Sequence, residues 1–224
     1  MRCFRDRAEA GEELGRRLGH LRNSRPVVLA MPRGGVVVGR EVARALAAPL
    51  DVIVCRKLGA PGQEEFGFGA VGPGGVCYLD ERSVRMLGLS RAVIDAIVRR
   101  ELAEMQRREE AYRGGAAPLA VRDRTAVLVD DGLATGVTAR AAARAVRAQG
   151  PRRLVLAVPV APPDTAHAIA EEVDEVVCLR TPADFYAVGQ WYEDFEQVCD
   201  GEVVRLLEGA RREMEAAQHE HAAP

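Results

Sequence analysis

Two rhythms of apolar residues run along the chain, one fitting buried strands and the other fitting helix stripes. Pro26-Val-Val-Leu-Ala-Met31 is an uncharged run closed by Pro26 and Pro32, as in a strand covered on both faces. After Gly34-Gly35, the residues Val38, Val42, Ala45 and Leu46 recur at helical spacing, and residues 50–55 read as the next strand. Residues 90–112 carry Val93, Ile94, Ile97, Val98, Leu102 and Met105 on one helical stripe that ends at Gly114-Gly115. Strands at 126–129, 154–158 and 175–179 then alternate with helices at 137–149 and 163–172, and a charged helix is expected at 6–21. Repeated strand-helix-strand order predicts an α/β fold in three layers, a mostly parallel central sheet with helices on both faces.

One stretch breaks the alternation. Residues 57–75 hold seven glycines (Gly59, Gly62, Gly67, Gly69, Gly72, Gly74, Gly75) with Pro61 and Pro73, too many for a packed helix, so a long mobile loop or a hairpin is expected. Gly67-Phe-Gly-Ala-Val-Gly72 spells the dinucleotide fingerprint G-x-G-x-x-G, but no clear core strand precedes it and no helix follows, so it is read as a decoy.

At 224 residues and 48% hydrophobic, the chain can bury one substantial core. Its formal net charge of -2 and pI near 6.1 give no global reason to bind nucleic acid or an anionic membrane. The N-terminus has no apolar leader and no uncharged run approaches spanning length, so a cytoplasmic protein is expected. Cys3, Cys55, Cys77, Cys178 and Cys199 lie far apart without metal-ligand spacing and read as reduced thiols, mostly in the core. His219 and His221 in the alanine-rich tail could touch a metal, although a frayed helix end is the expected reading. Lys57 is the single lysine among 31 basic residues.

The candidate chemistry lies in residues 126–138, AVLVDDGLATGVT, where a hydrophobic strand, two acids and a Gly/Thr turn open a helix. Backbone amides of Thr135, Gly136, Val137 and Thr138, with two threonine hydroxyls, would converge at the helix N-terminus as a phosphate pocket. Asp130 and Asp131 would supply acceptors beside it for vicinal sugar hydroxyls or a hydrated Mg²⁺ ion.

These thirteen positions resemble the signature of type I phosphoribosyltransferases. The resemblance implies that Asp130 and Asp131 contact the ribose hydroxyls of 5-phosphoribosyl 1-pyrophosphate (PRPP), with Mg²⁺ held through water, while Ala134 to Thr138 hold the 5-phosphate. Gly132 departs from the pattern, since an apolar residue is commoner there. The resemblance also implies a pyrophosphate loop after the first strand, matched by Met31-Pro-Arg-Gly-Gly35 with Arg33, Gly34 and Gly35, and a basic step at Arg56-Lys57 before a closing loop.

Phe185, Tyr186, Trp191, Tyr192 and Phe195 crowd into the segment after the last strand, either as a small satellite core or as a base-stacking platform. The segment is similar to the hood of hypoxanthine-guanine phosphoribosyltransferases, which implies base contacts from Tyr186, Val188 and Glu193. Ala134 stands where those enzymes place an acid, and Ala-Thr-Gly instead resembles adenine-type loops, so the acceptor stays open.

The implied function is phosphoribosyl transfer from PRPP to a nitrogenous base or similar acceptor, with Arg33, Arg56, Lys57, Asp130 and Asp131 as catalytic residues; the alternative is a non-catalytic PRPP sensor. Expected organisation is a core at 1–180 with a flexible loop at 58–77, a hood at 181–200, and a C-terminal helix and tail at 201–224. The partners expected are small molecules, with a homodimer through the N-terminal helix or the Val203-Val204-Leu206-Leu207 patch.

Overall fold

The structure is a computed structural model that describes residues 3–222, without the side chains of residues 65 and 218–222. The side chains of His219 and His221 therefore lie outside the described residues. In chain order the elements are α1 (Arg7–Arg17), β1 (Val27–Ala30), α2 (Gly34–Leu46), β2 (Leu50–Val52), β3 (Arg56–Ala60), β4 (Gln63–Val71), β5 (Cys77–Leu79), α3 (Glu81–Met86), α4 (Arg91–Arg113), β6 (Thr125–Val129), α5 (Val137–Arg147), β7 (Arg153–Val160), α6 (Pro163–Ile169), β8 (Glu175–Arg180) and α7 (Asp200–Ala222).

Five strands pair in parallel in the order β2-β1-β6-β7-β8. Every residue of β1 and β6 is buried, which is why these strands read as continuous apolar runs. Alternate residues point to opposite faces: Val28, Ala30, Val127 and Val129 pack with α1, α2, α7 and part of α4, whereas Val27, Leu29, Ala126 and Leu128 pack with α5 and α6. The three-layer expectation holds. From β1 the chain steps outward to β2, then returns to add β6 on the other side of β1. A crevice at the carboxyl ends of β1 and β6 is where a sheet with such a reversal binds ligands.

The glycine-rich stretch forms the hairpin rather than a loop: β3, β4 and β5 make a separate antiparallel sheet. Leu58, Phe68 and Val71 are buried against Ile94 and Ile97 of α4, giving the hairpin its own small core. Of the fingerprint glycines, Gly67 and Gly69 lie in β4, and Gly72 follows it, where a Cβ would stand 3.3 Å from the Ala141 carbonyl of α5. A Cβ at Gly69 would overlap the Tyr78 carbonyl on β5, and one at Gly67 would lie 2.8 Å from the Lys57 stem. They permit close strand packing, which accounts for G-x-G-x-x-G without a dinucleotide.

Residues 203–207 do not form an outward contact patch. Val203 and Leu207 are fully buried on α7 against the core that contains α2, and Val204 and Leu206 pack beside them. Their helical spacing turns one stripe inward. All five cysteines are free; Cys3, Cys55 and Cys178 are half-buried, whereas Cys77 and Cys199 are exposed because they sit at an edge strand and before a helix start. Among the described residues no helix is long and apolar enough to cross a membrane.

Candidate functional site

Asp130 and Asp131 follow β6 directly, and the turn between β1 and α2 lies over them. A Cβ on Gly34 would overlap Asp131 Oδ2, and one on Gly35 would stand 2.9 Å from both the Asp130 Cα and Oδ1. The glycine pair is needed for this approach, since any side chain would push the turn off the acids. Met31 N–H donates to the Val129 carbonyl at 2.8 Å, so the ladder between β1 and β6 continues up to the site. The Pro32–Arg33 peptide is cis.

Asp131 N–H donates to Asp130 Oδ1 at 2.8 Å. Burial first, and then the adjacent Asp131 carboxylate, hold the Asp130 carboxyl well above the usual carboxylate range. Arg7 Nε donates to Asp131 Oδ2 at 2.8 Å, in a pair whose side chains are 11% and 16% exposed.

Gly136 caps α5 with a positive φ of 70°, and a Cβ there would lie 2.9 Å from the Thr165 methyl. The helix ladder begins with Arg140 N–H to the Gly136 carbonyl, so the first-turn amides of α5 have no acceptor within the helix. Thr165 Oγ1 donates to the Ala134 carbonyl at 2.8 Å and fixes the loop from below. Ala134 and Thr135 are exposed, while Val137 and Thr138 are half-buried at the helix opening.

The other basic residues point elsewhere. Arg33 Nη1 stands 3.8 Å from Asp200 Oδ1 at the start of α7, and Asp200 also accepts from the Tyr112 hydroxyl at 2.7 Å. Arg56 gives Nε and Nη2 to Glu101 of α4, at 2.9 and 2.8 Å. Lys57 is exposed on β3, its stem crossing Gly67.

The aromatic segment divides. Trp191 and Tyr192 join Phe4 and Val160 in a satellite core with Phe185 and Val188 beside them, while Tyr186 is 90% exposed. The segment is tied to the N-terminus: Phe4 N–H donates to the Trp191 carbonyl and Glu193 N–H to the Phe4 carbonyl, both at 2.8 Å. Glu193 itself is exposed. Val188 fills the space that a side chain at Gly132 would need, its methyl 2.6 Å from that Cβ position. Gly132 thus departs from the family pattern because the hood supplies the apolar group instead.

Sequence reasoning passed over Arg7 and Asp200 and named Tyr192 only within the aromatic cluster, without its hydrogen bond to Asp131; all three reach the site region from distant elements. Thirty arginines gave no signal to separate Arg7 from the rest.

Among the described residues no group of three or more His, Cys, Asp or Glu converges as a metal cluster. Two adjacent carboxylates under a turn too close for a side chain do fit Mg²⁺, which takes one or two carboxylates with water and substrate phosphate oxygens.

The family profile described as "Phosphoribosyl transferase domain" matches residues 8–195. A protein of Mycobacterium tuberculosis (strain CDC 1551 / Oshkosh), provisionally named a phosphoribosyl transferase, is 50% identical over 217 residues, covering 97% of this chain and 49% of that protein. The chain therefore spans about half the length of the curated relatives it matches. The crystal structure of TT1426 from Thermus thermophilus is 45% identical, covers 92% of this chain and 98% of that one, and superposes with a TM-score of 0.79. A Neisseria gonorrhoeae protein crystallised with ppGpp shares the fold alone, at 14% identity over 94% of this chain and 97% of that one, with a TM-score of 0.52. With the family profile spanning the sheet, the acid pair and the hood, this chain belongs to the type I phosphoribosyltransferase family.

Proposed function

We propose that the protein transfers the 5-phosphoribosyl group of PRPP, with Mg²⁺, to a nitrogenous base or similar acceptor and releases pyrophosphate. The observation that carries this reading is the acid pair at the β1/β6 crevice, roofed by a glycine turn that leaves no room for any side chain. Asp130 and Asp131 accept hydrogen bonds from the ribose hydroxyls. The first-turn amides of α5 hold the 5-phosphate dianion, which the helix dipole also favours.

In the reaction the C1–O bond to pyrophosphate breaks, the acceptor nitrogen forms the new C1–N bond, and the acceptor's proton leaves to solvent or another base. Asp130 and Asp131 would hold Mg²⁺ through water, and the ion would supply charge neutralisation on the departing pyrophosphate. To add positive charge at the leaving group, Arg33 turns from Asp200 and Arg56 from Glu101, with Lys57 beside it, a rearrangement this reading requires. Gly34 and Gly35 let backbone amides approach the leaving group. Ala134 provides no acid, so the acceptor arrives nucleophilic or loses its proton elsewhere.

The test is calorimetry with PRPP and Mg²⁺, then pyrophosphate-release assays across purine, pyrimidine and other acceptors. Absence of binding at millimolar PRPP would sink the reading. Binding without turnover for any acceptor would favour a PRPP sensor instead.

A further inference from the structure

Arg7 occupies the first turn of α1, where the helix dipole opposes a cation, and it is nearly buried. Its surroundings make up for that placement. Nε donates to Asp131 Oδ2 at 2.8 Å, and Nη1 donates to the Glu196 carbonyl at 2.8 Å. The guanidinium carbon lies 3.8 Å from the centre of the Phe195 ring and 6.0 Å from that of Tyr192. The Tyr192 hydroxyl in turn donates to the Asp131 carbonyl at 2.6 Å. The pyrophosphate turn meets the same atoms, for a Cβ on Gly34 would stand 2.7 Å from Arg7 Nε.

We propose that Arg7 is a positioning residue for the ribose: it fixes the Asp131 carboxylate through Oδ2, directs Oδ1 toward a sugar hydroxyl, and locks the hood to the acid pair. This rests on the phosphoribosyl reading of the site. A simple tether between α1 and the hood needs only the Glu196 carbonyl and the aromatic stack. The Nε contact adds one of the two carboxylates that the ribose is expected to use. The planar fork serves both acceptors at once, a geometry that an ammonium group does not reproduce.

The experiment compares wild type, Arg7→Met and Arg7→Lys by calorimetry against ribose 5-phosphate and, separately, against inorganic phosphate, which the α5 amides hold without Asp131, with melting curves for each protein. Arg7→Met keeps the stem and is expected to weaken ribose 5-phosphate by about tenfold or more, the equivalent of one lost charge-assisted bond, with inorganic phosphate unchanged. Arg7→Lys is expected to recover only part of that loss. The proposal fails if both ligands weaken together or neither does, or if Arg7→Lys, the variant most certain to fold, binds ribose 5-phosphate as wild type does. Wild type that binds neither ribose 5-phosphate nor PRPP at millimolar concentration overturns the phosphoribosyl reading and this proposal with it. Wild-type binding with an unaffected Arg7→Met overturns only the role of Arg7.

Discussion

Asp51 and Asp131 are both sheltered aspartates paired with an arginine, one within β2 and the other just beyond β6, yet their acceptor oxygens are used differently. Asp51 Oδ1 accepts from Val52 N–H at 2.7 Å and Arg113 Nε at 3.1 Å, and Oδ2 accepts from Leu119 N–H at 2.9 Å. Arg113 Nη2 then closes onto the Val52 carbonyl at 2.9 Å. Every partner is protein, and the cluster pins α4 and the following connection to the sheet edge. Around Asp130 and Asp131, among the described residues, the carboxyl oxygens meet one backbone amide, Arg7 and each other, and a glycine turn faces the pair. Saturated acceptors hold a fold together, and acceptors with few protein partners at the carboxyl ends of two central strands are suited to a ligand.

Breaking the saturated cluster should have the largest effect. Asp51→Ala removes the closer of two carboxylates beside the Arg113 guanidinium, leaving Glu109 at 3.6 Å, and takes their acceptor from the Val52 and Leu119 amides, so it should cost about 3 kcal/mol in urea unfolding. Ligand affinity of the molecules that remain folded should hardly change. A loss below about 1 kcal/mol would mean that the cluster is not structural.

Gly34→Ala reverses the pattern. The new methyl collides with Asp131, so PRPP affinity should fall about a hundredfold, or about 2.7 kcal/mol, while the melting temperature moves by only a few degrees. Calorimetry of the folded variant settles it: near-native affinity would show that the ligand site does not depend on the close approach of the turn to the acids. Asp131→Asn is the milder version, retaining shape but giving Arg7 a weaker acceptor. A loss of about tenfold in PRPP affinity is expected, with a smaller stability cost than Asp51→Asn, measured side by side.

The contrast also marks what the sequence could tell. The apolar runs at 27–30 and 125–129 announced the two central strands, because a strand buried on both faces has no polar position to confuse it. The acids and Gly/Thr turn at 130–138 could be read as a site because contiguous residues carry the motif. Arg7 was illegible, and of Tyr192 only membership of the aromatic cluster could be read, since what places both beside Asp131 is the pairing of residues 4 and 5 with the hood, a contact across nearly the whole chain. The glycine-rich stretch was ambiguous for another reason. Its glycines serve close approach between strands, and glycine content alone does not separate that use from mobility. Helix α3 escaped notice because its six residues are too few to show a period.

The smallest expected effect lies beside Asp51, where Glu109 lines a cavity of about 390 Å³ together with Arg113 and Ile53. Burial pushes the Glu109 carboxyl above its ordinary range, Arg113 at 3.6 Å opposes the shift, and Asp51 adds to it. A carboxyl whose folded pKa exceeds its unfolded value binds its proton more tightly in the folded state. Its contribution is therefore favourable below the unfolded pKa and is lost as pH rises through the folded pKa, so at neutral pH the buried charge is a burden. Glu109→Gln should then stabilise the protein at pH 7 by up to about 1 kcal/mol, with the gain shrinking toward pH 4 as wild type takes up its proton. Urea unfolding at both pH values measures the difference. A Gln variant less stable than wild type at pH 7 would show that the Arg113 pairing outweighs burial, and would place Glu109 with Asp51 in the saturated, structural cluster.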